Sequence, residues 1–471
     1  MKNKKKYIFI ITILLLCSII MYLLNENHDL KENSNNYENN KVTKRENMLS
    51  MMLETEANSG NYEMTTRETW PTDGYVFNTE LSKCENGGEL SWDDINKRVV
   101  MSGNVSDKCY IYFDVEMPPT IANTCTSGTN LASCIKTFGD KGSAVSNIYH
   151  HDASLTNGAG DNSYRFAGAS SDVNNYVCFG STQNPCPTDN LYRIIGVFGD
   201  KVKLIKSDYA TSTLLGADGD YSKMYTANTD WDNSAYKGNN LANIAAYNWN
   251  KSKQNTWSLS KLNTTNLNTN FITNIGADWA AKIAETTWKV GGNTYANIAK
   301  QPAKTAYQNE VVKPVPGSTS SNGETEHPAK IGLMYASDYG FAAEPSAWTA
   351  NLNTYNGDTI KNVNWMYMGL YEWMISRDAG NSYYALDVYD IGSVGYDLVG
   401  YTAYAVRPVF YLSSSVNYAS GSGSAADPIS INWLTDSFEK TSVKSNKKEI
   451  KSSTSVERFT FFLSYKDAKI I

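Results

Sequence analysis

Six tyrosines fall between residues 381 and 404: Tyr383, Tyr384, Tyr389, Tyr396, Tyr401 and Tyr404. They are interleaved with Asn381, Ser382, Asp387, Asp390, Ser393 and Asp397. Tyrosine joins a broad apolar ring to a hydroxyl at small entropic cost, and short polar neighbours add adaptable hydrogen bonds, the chemistry of antibody paratopes. Glycines at 392, 395 and 400 let the chain turn between them. The pattern nominates Tyr383, Tyr384, Asp387, Tyr389, Asp390, Tyr396 and Tyr401 as contacts for a glycan or protein ligand. A plain solvent-facing sheet is the other reading, because the whole chain is tyrosine-rich, with 32 of them.

Acid–base chemistry has weaker footing. Glu372, Asp378 and Asp387 supply carboxylates, yet none sits in a motif that fixes a second carboxylate or a base at a set distance. A non-enzymatic protein is therefore expected. An enzyme acting on envelope polysaccharide or peptidoglycan is the alternative, and a structural envelope component a third. The adjacent His150 and His151 point in different directions on any regular element, and no third ligand accompanies them. Asp218-Gly-Asp220 and Asp230-Trp-Asp232-Asn233 read as turn chemistry rather than a calcium loop. No metal and no cofactor are expected.

Cysteine spacing bears on compartment. Beyond Cys17, six cysteines form three sequential pairs: Cys84 with Cys109, Cys125 with Cys134, and Cys178 with Cys186. An even count in local pairs, without Cys-x-x-Cys or interleaved histidines, predicts three disulfides and an oxidising location. Each would contribute roughly 2 to 4 kcal/mol if unstrained.

These groups need elements to position them. Residues 7–24 are apolar or nearly so and follow Lys2, Lys4, Lys5 and Lys6. At ~1.5 Å per helical residue the run spans about 27 Å, which predicts a single membrane helix with the C-terminal bulk outside the cell. No small-x-small cleavage site follows Leu24, which favours an anchor over a cleaved signal peptide. Residues 25–68 read as a disordered polar stalk, with Met48 to Leu53 as a short helix or a mobile patch. Residues 69–117 carry β-type runs and Gly-rich turns, a small all-β module stapled by Cys84 and Cys109. Residues 118–162 read as a connector with a local disulfide.

Residues 163–432 read as one α+β domain. A hairpin is expected about Gly199-Asp200, helices over 239–249 and 268–285, and strands near 331–342 and 404–412. Residues 433–471 read as a polar tail, with the Phe459 to Leu463 run left without structure. Only 19% of residues are charged and the net charge is −6, which gives no field for nucleic acid.

Five motifs carry a resemblance: Trp288-Lys-Val-Gly-Gly-Asn-Thr-Tyr, Leu333-Met-Tyr-Ala-Ser-Asp-Tyr-Gly-Phe, Trp365-Met-Tyr-Met-Gly-Leu-Tyr-Glu-Trp-Met-Ile-Ser-Arg, Ala405-Val-Arg-Pro-Val-Phe-Tyr-Leu and Gly421-Ser-Gly-Ser-Ala-Ala-Asp-Pro. Together they resemble a family of exported bacterial surface proteins that carries no assigned activity. The resemblance covers about 164–431 and implies a fold similar to C-type lectins and formylglycine-generating enzymes. The reactive cysteines of the latter have no counterpart, since no cysteine follows Cys186. Of the sugar-lectin calcium motifs only Glu344-Pro345-Ser346 is a partial match. Arg407 before Pro408 reads as an architectural guanidinium with five donors, or as a ligand-binding arginine.

Overall fold

The computed structural model describes residues 49–103, 107–225, 234–239, 241–317 and 323–433. The expected anchor, the tail beyond 433 and the Asp230 to Asn233 loop lie outside the described residues. Among the described residues no helix is long and apolar enough to cross a membrane. The chain is mixed α+β, mostly sheet with few, short helices. It divides into two compact units, Met1–Thr124 with Phe138–Asn147, and Cys125–Thr137 with Ile148–Ile471.

The smaller unit contains β1 (Leu49–Glu54), β2 (Tyr62–Met64), β3 (Tyr75–Phe77), β4 (Lys83–Cys84), β5 (Glu89–Asp93), β6 (Arg98–Ser102) and β7 (Cys109–Val115). Its sheet runs β2-β1-β7-β3, with β4 also on β7, while β5 and β6 form a separate hairpin. Side chains of β7 alternate, so Cys109, Ile111 and Phe113 are buried between less buried neighbours. Met51, Trp70, Ile111 and Phe113 form the core. Cys84 and Cys109 face each other across β4 and β7 and are bridged, with Cα atoms 4.0 Å apart.

The stalk expectation needs correcting at its C-terminal end. Leu49–Glu54 is neither helix nor mobile patch but a strand parallel to β7, with Leu49 opposite Cys109 and Leu53 opposite Phe113. The physical cause is non-local: a partner some sixty positions onward supplies the apolar surface that local composition lacks.

In the larger unit the first strands are β8 (Ile148–His150), β9 (Tyr164–Phe166), β10 (Tyr176–Cys178), β11 (Leu191–Phe198) and β12 (Lys201–Lys206). The hairpin at Gly199-Asp200 is present, with Phe198 opposite Lys201. Next come β13 (Tyr221–Met224), β14 (Ala245–Asn248), β15 (Ile283–Ala284), β16 (Thr286–Lys289), β17 (Glu326–Ala329) and β18 (Ile331–Gly332). The last are β19 (Glu372–Arg377), β20 (Tyr384–Val388), β21 (Val394–Leu398), β22 (Ala403–Tyr404), β23 (Val409–Leu412), β24 (Val416–Ser420) and β25 (Ser430–Trp433). The main sheet runs β15-β23-β12-β11-β9-β8. Phe410 on β23 meets Phe179, Tyr192 and Phe271 at centroid distances of 4.9, 5.4 and 5.9 Å, which makes an aromatic core under that sheet.

The connector reading also changes. Cys125 and Cys134 are bridged, and this segment bonds to β24 through Gly128 N–H to the Tyr418 carbonyl and Tyr418 N–H to the Thr129 carbonyl, both 2.8 Å. Strand β8 pairs with β9, so the larger unit begins well before residue 163. Of the helix expected over 239–249, Leu241–Asn243 is a single 3-10 turn and Ala245–Asn248 is instead the wholly buried strand β14, between β13 and β22. Over 331–342 only Ile331–Gly332 is strand, and Ala336–Ala342 is a helix buried on every side. The 268–285 expectation holds in part: helical turns fill Leu262–Asn274, Gly276 at φ +85° interrupts them, a further turn of helix covers Ala277–Ala280, and Ile283–Ala284 is strand.

Candidate functional site

Strands β19, β20 and β21 form an antiparallel meander that carries most of the tyrosines. Leu386 lies opposite Tyr396, Tyr384 opposite Leu398, and Asp387 opposite Gly395. Strand alternation therefore sends Tyr384 and Tyr396 to one face, and Asp387 and Asp397 to the other.

The turns are held from beneath. The Asn255 side-chain amide donates to the carbonyls of Asp378, Asn381 and Tyr384 at 2.9, 2.9 and 2.7 Å, and its backbone N–H donates to the Ser382 carbonyl. Asp378 accepts the Gly380 N–H at 2.7 Å, and Asn381 accepts the Tyr383 N–H at 3.0 Å. At the opposite end, Tyr367 and Tyr339 donate their hydroxyls to the carbonyls of Asp390 and Gly392. Asp397 accepts from the hydroxyls of Thr402 at 3.0 Å and Tyr404 at 2.5 Å, which fixes the return toward β22.

On this frame Tyr383, Tyr396 and Tyr401 stay 52%, 36% and 64% exposed. Tyr384 is half-buried and packs edge-on against Tyr396 at 4.8 Å, while Tyr295 meets Tyr396 at 4.5 Å. Lys253 holds its ammonium 4.1 Å from the Tyr401 ring centroid, a cation–π contact. Tyr295 and Lys253 extend the site beyond the nominated set. For Tyr295 a signal existed, since it closes the Trp288 motif; Lys253 had none.

The remaining nominees lie elsewhere. Asp387 is a correction: it is 0% exposed, and among the described residues neither carboxyl oxygen has a hydrogen-bond partner. Burial, then the nearby Asp397 charge, hold its carboxyl well above the usual range, so it stays protonated over a wide span of pH. Tyr389 turns inward too. Its ring lies over Gly395, contacts Tyr371 at 5.2 Å, and is half-buried. Asp390 is half-buried beside it, and its side chain bonds Tyr371. Asp387 lies on the face of the meander opposite to Tyr384 and Tyr396, while Tyr389 and Asp390 lie in the turn after β20, half-buried by their contacts with Gly395 and Tyr371.

The other carboxylates and the histidines are engaged structurally. Glu372 receives a bidentate bond from Arg407, with Nε and Nη2 each at 2.8 Å, and Nη2 also donates to the Met366 carbonyl at 2.7 Å. Both side chains are buried, so Arg407 serves architecture. His150 stacks on Tyr164 at 4.2 Å. His151 is buried against Phe341 and Trp348, and its Nδ1 accepts the Ala159 N–H at 3.0 Å. Burial, with the Arg165 charge second, drives its pKa down to about 2, so it is neutral. Asp220 accepts backbone N–H groups of Lys251 and Leu262, which is turn and capping chemistry. Among the described residues no group of three or more side chains is placed to hold a metal ion.

Comparison with family models, curated proteins and solved structures gives no match for this chain.

Proposed function

We propose that this is a membrane-anchored bacterial surface protein, non-enzymatic, whose larger unit adopts a C-type-lectin-like fold and presents a tyrosine-rich face to an extracellular glycan or protein. One observation carries the reading: Tyr383 and Tyr396 remain exposed on a meander whose turns are pinned by Asn255, Tyr339 and Tyr367, and Tyr401 is exposed in the turn that leaves it. Aromatic anchors on a rigid support lose little freedom on binding. The three disulfides support an oxidising exterior. The sequence motifs quoted above support the lectin-like part, and residues 7–24 support the anchor.

The test is to screen the full-length protein against glycan and host or envelope protein arrays, then to substitute Tyr383, Tyr384, Tyr396 and Tyr401 by Ala. Loss of about tenfold or more in affinity is expected at one or more exposed tyrosines, as at aromatic hot spots. Tyr389→Ala is expected to lower stability and leave affinity nearly intact. Affinity unmoved by all four surface changes would reject the face.

A further inference from the structure

Lys206 ends β12 with its side chain on the same parity as the buried Leu204. Its backbone N–H donates to the Pro408 carbonyl at 3.1 Å. The residue is only 2% exposed, yet among the described residues its ammonium has neither a hydrogen bond nor an ion pair. Burial pulls its pKa below the ordinary lysine value; Asp208 and Asp189 oppose this from a distance without closing on it, and Arg407 is a like charge nearby. Asp208 spends its carboxylate on the Tyr236 hydroxyl, at 2.8 and 2.7 Å, and on the Tyr209 N–H. Its nitrogen is not among the fully enclosed side-chain atoms that lack a partner, so the small exposure that remains opens onto the space it faces, where a counter-charge would stabilise it.

What Lys206 faces is a cavity of about 430 Å³, within the size range of small-molecule sites. The rest of the lining is mostly neutral and polar, including the hydroxyls of Thr211, Ser212 and Thr213 and the carboxamide of Asn243. The segment bearing those hydroxyls is fixed: Asn274 donates to the carbonyls of Thr213 and Leu214 at 3.0 Å each, and the Thr211 hydroxyl accepts the Leu214 N–H. We propose that this cavity binds a monoanionic acidic sugar, with the carboxylate on Lys206 and the sugar hydroxyls on Thr211, Ser212, Thr213 and Asn243. One cation facing the cavity, with the Asp189 carboxylate also in its lining, suits a single negative charge better than a phosphate dianion. Hydroxyl- and amide-rich walls match a polyol. The site is separate from the tyrosine face and does not depend on it.

Titration calorimetry of the full chain with sodium glucuronate tests this, with glucose and glucose 6-phosphate as comparators. Glucuronate is expected to bind at least about tenfold more tightly than glucose, and Lys206→Met to abolish that preference, as loss of a charge-assisted bond does. Near-UV circular dichroism checks that the variant is folded. Thr213→Tyr, at an exposed position on the rim, obstructs the cavity without touching Lys206 and is expected to weaken glucuronate binding as well. No binding of glucuronate, equal binding of glucose, tighter binding of glucose 6-phosphate, or unchanged affinity in either variant would overturn the assignment.

Discussion

Asp387 sets the terms at the scale of single residues. Its carboxyl is buried with no hydrogen-bond partner for either oxygen among the described residues, and burial raises its pKa in the fold. In the unfolded chain the same group ionises above about pH 4. The folded state therefore holds one more proton through the interval between the two values, and stability falls as pH rises across it, by about 1.4 kcal/mol per unit while both conditions hold. Asp387→Asn removes the ionisation and nearly keeps the shape. The gap in Tm between variant and parent is expected to widen in the variant's favour from pH 4 to pH 8; a constant gap would mean that Asp387 does not titrate abnormally. His151, depressed by burial, works in the opposite direction but is common to both proteins and cancels. Individual residues were unevenly legible. Sequential pairing of cysteines could be read directly, because local loop closure is a property of the residues themselves, whereas the sequence leaves Arg407 between architecture and ligand binding until its buried bidentate bond to Glu372 decides for architecture. The burial of Asp387, Tyr389 and Asp390 could not be read either, because it depends on which parity of β20 meets which neighbour for Asp387 and on the distant Tyr371 for the two turn residues.

Elements were legible where their burial has a period and illegible where it has none. The hairpin at Gly199 and the alternating β7 announce themselves. Strand β14 and the helix Ala336–Ala342 are buried all round, so neither shows a polar face from which a period of two or 3.6 could be read. Their identities come from tertiary partners, with β22 and β13 flanking β14, and the buried Glu310 accepting the Ala336 and Ser337 N–H groups at the start of the helix. The meander shows how closely such elements are fitted. A Cβ on Gly395 would fall 2.2 Å from the Tyr389 ring. Gly395→Ala is expected to cost about 1 to 3 kcal/mol, as overpacking does, seen as a lower denaturant midpoint with an unchanged slope. Adding Tyr389→Leu to Gly395→Ala should recover part of that loss, since the smaller side chain clears the new methyl. Additive losses in the double variant would show that the ring is not what Gly395 accommodates.

For the molecule as a whole, the question is where the folded part begins. The sequence suggests a start at about residue 69, because the polar run before it holds few large side chains, but Leu49–Glu54 is already a strand of the sheet. Strand β1 gives β7 its parallel partner along five residue pairs, and Met51 joins Ile111, Phe113 and Trp70 in the core. Glu54 ties the far end of β1 by accepting the N–H groups of Gly60 and Val115, at 3.0 Å each. A small unit has little stability in reserve, and loss of one large buried side chain typically costs 2 to about 5 kcal/mol. Removing β1 also bares one edge of β7, a strand with buried Cys109, Ile111 and Phe113. The bridge between Cys84 and Cys109 limits the unfolded chain but replaces neither the lost edge nor the lost core. A chain that starts at Trp70 is therefore expected to lose amide-exchange protection across β3 to β7, while a chain that starts before Leu49 keeps it. Equal protection in the two would show that β1 is dispensable and that the folded part does begin where composition changes.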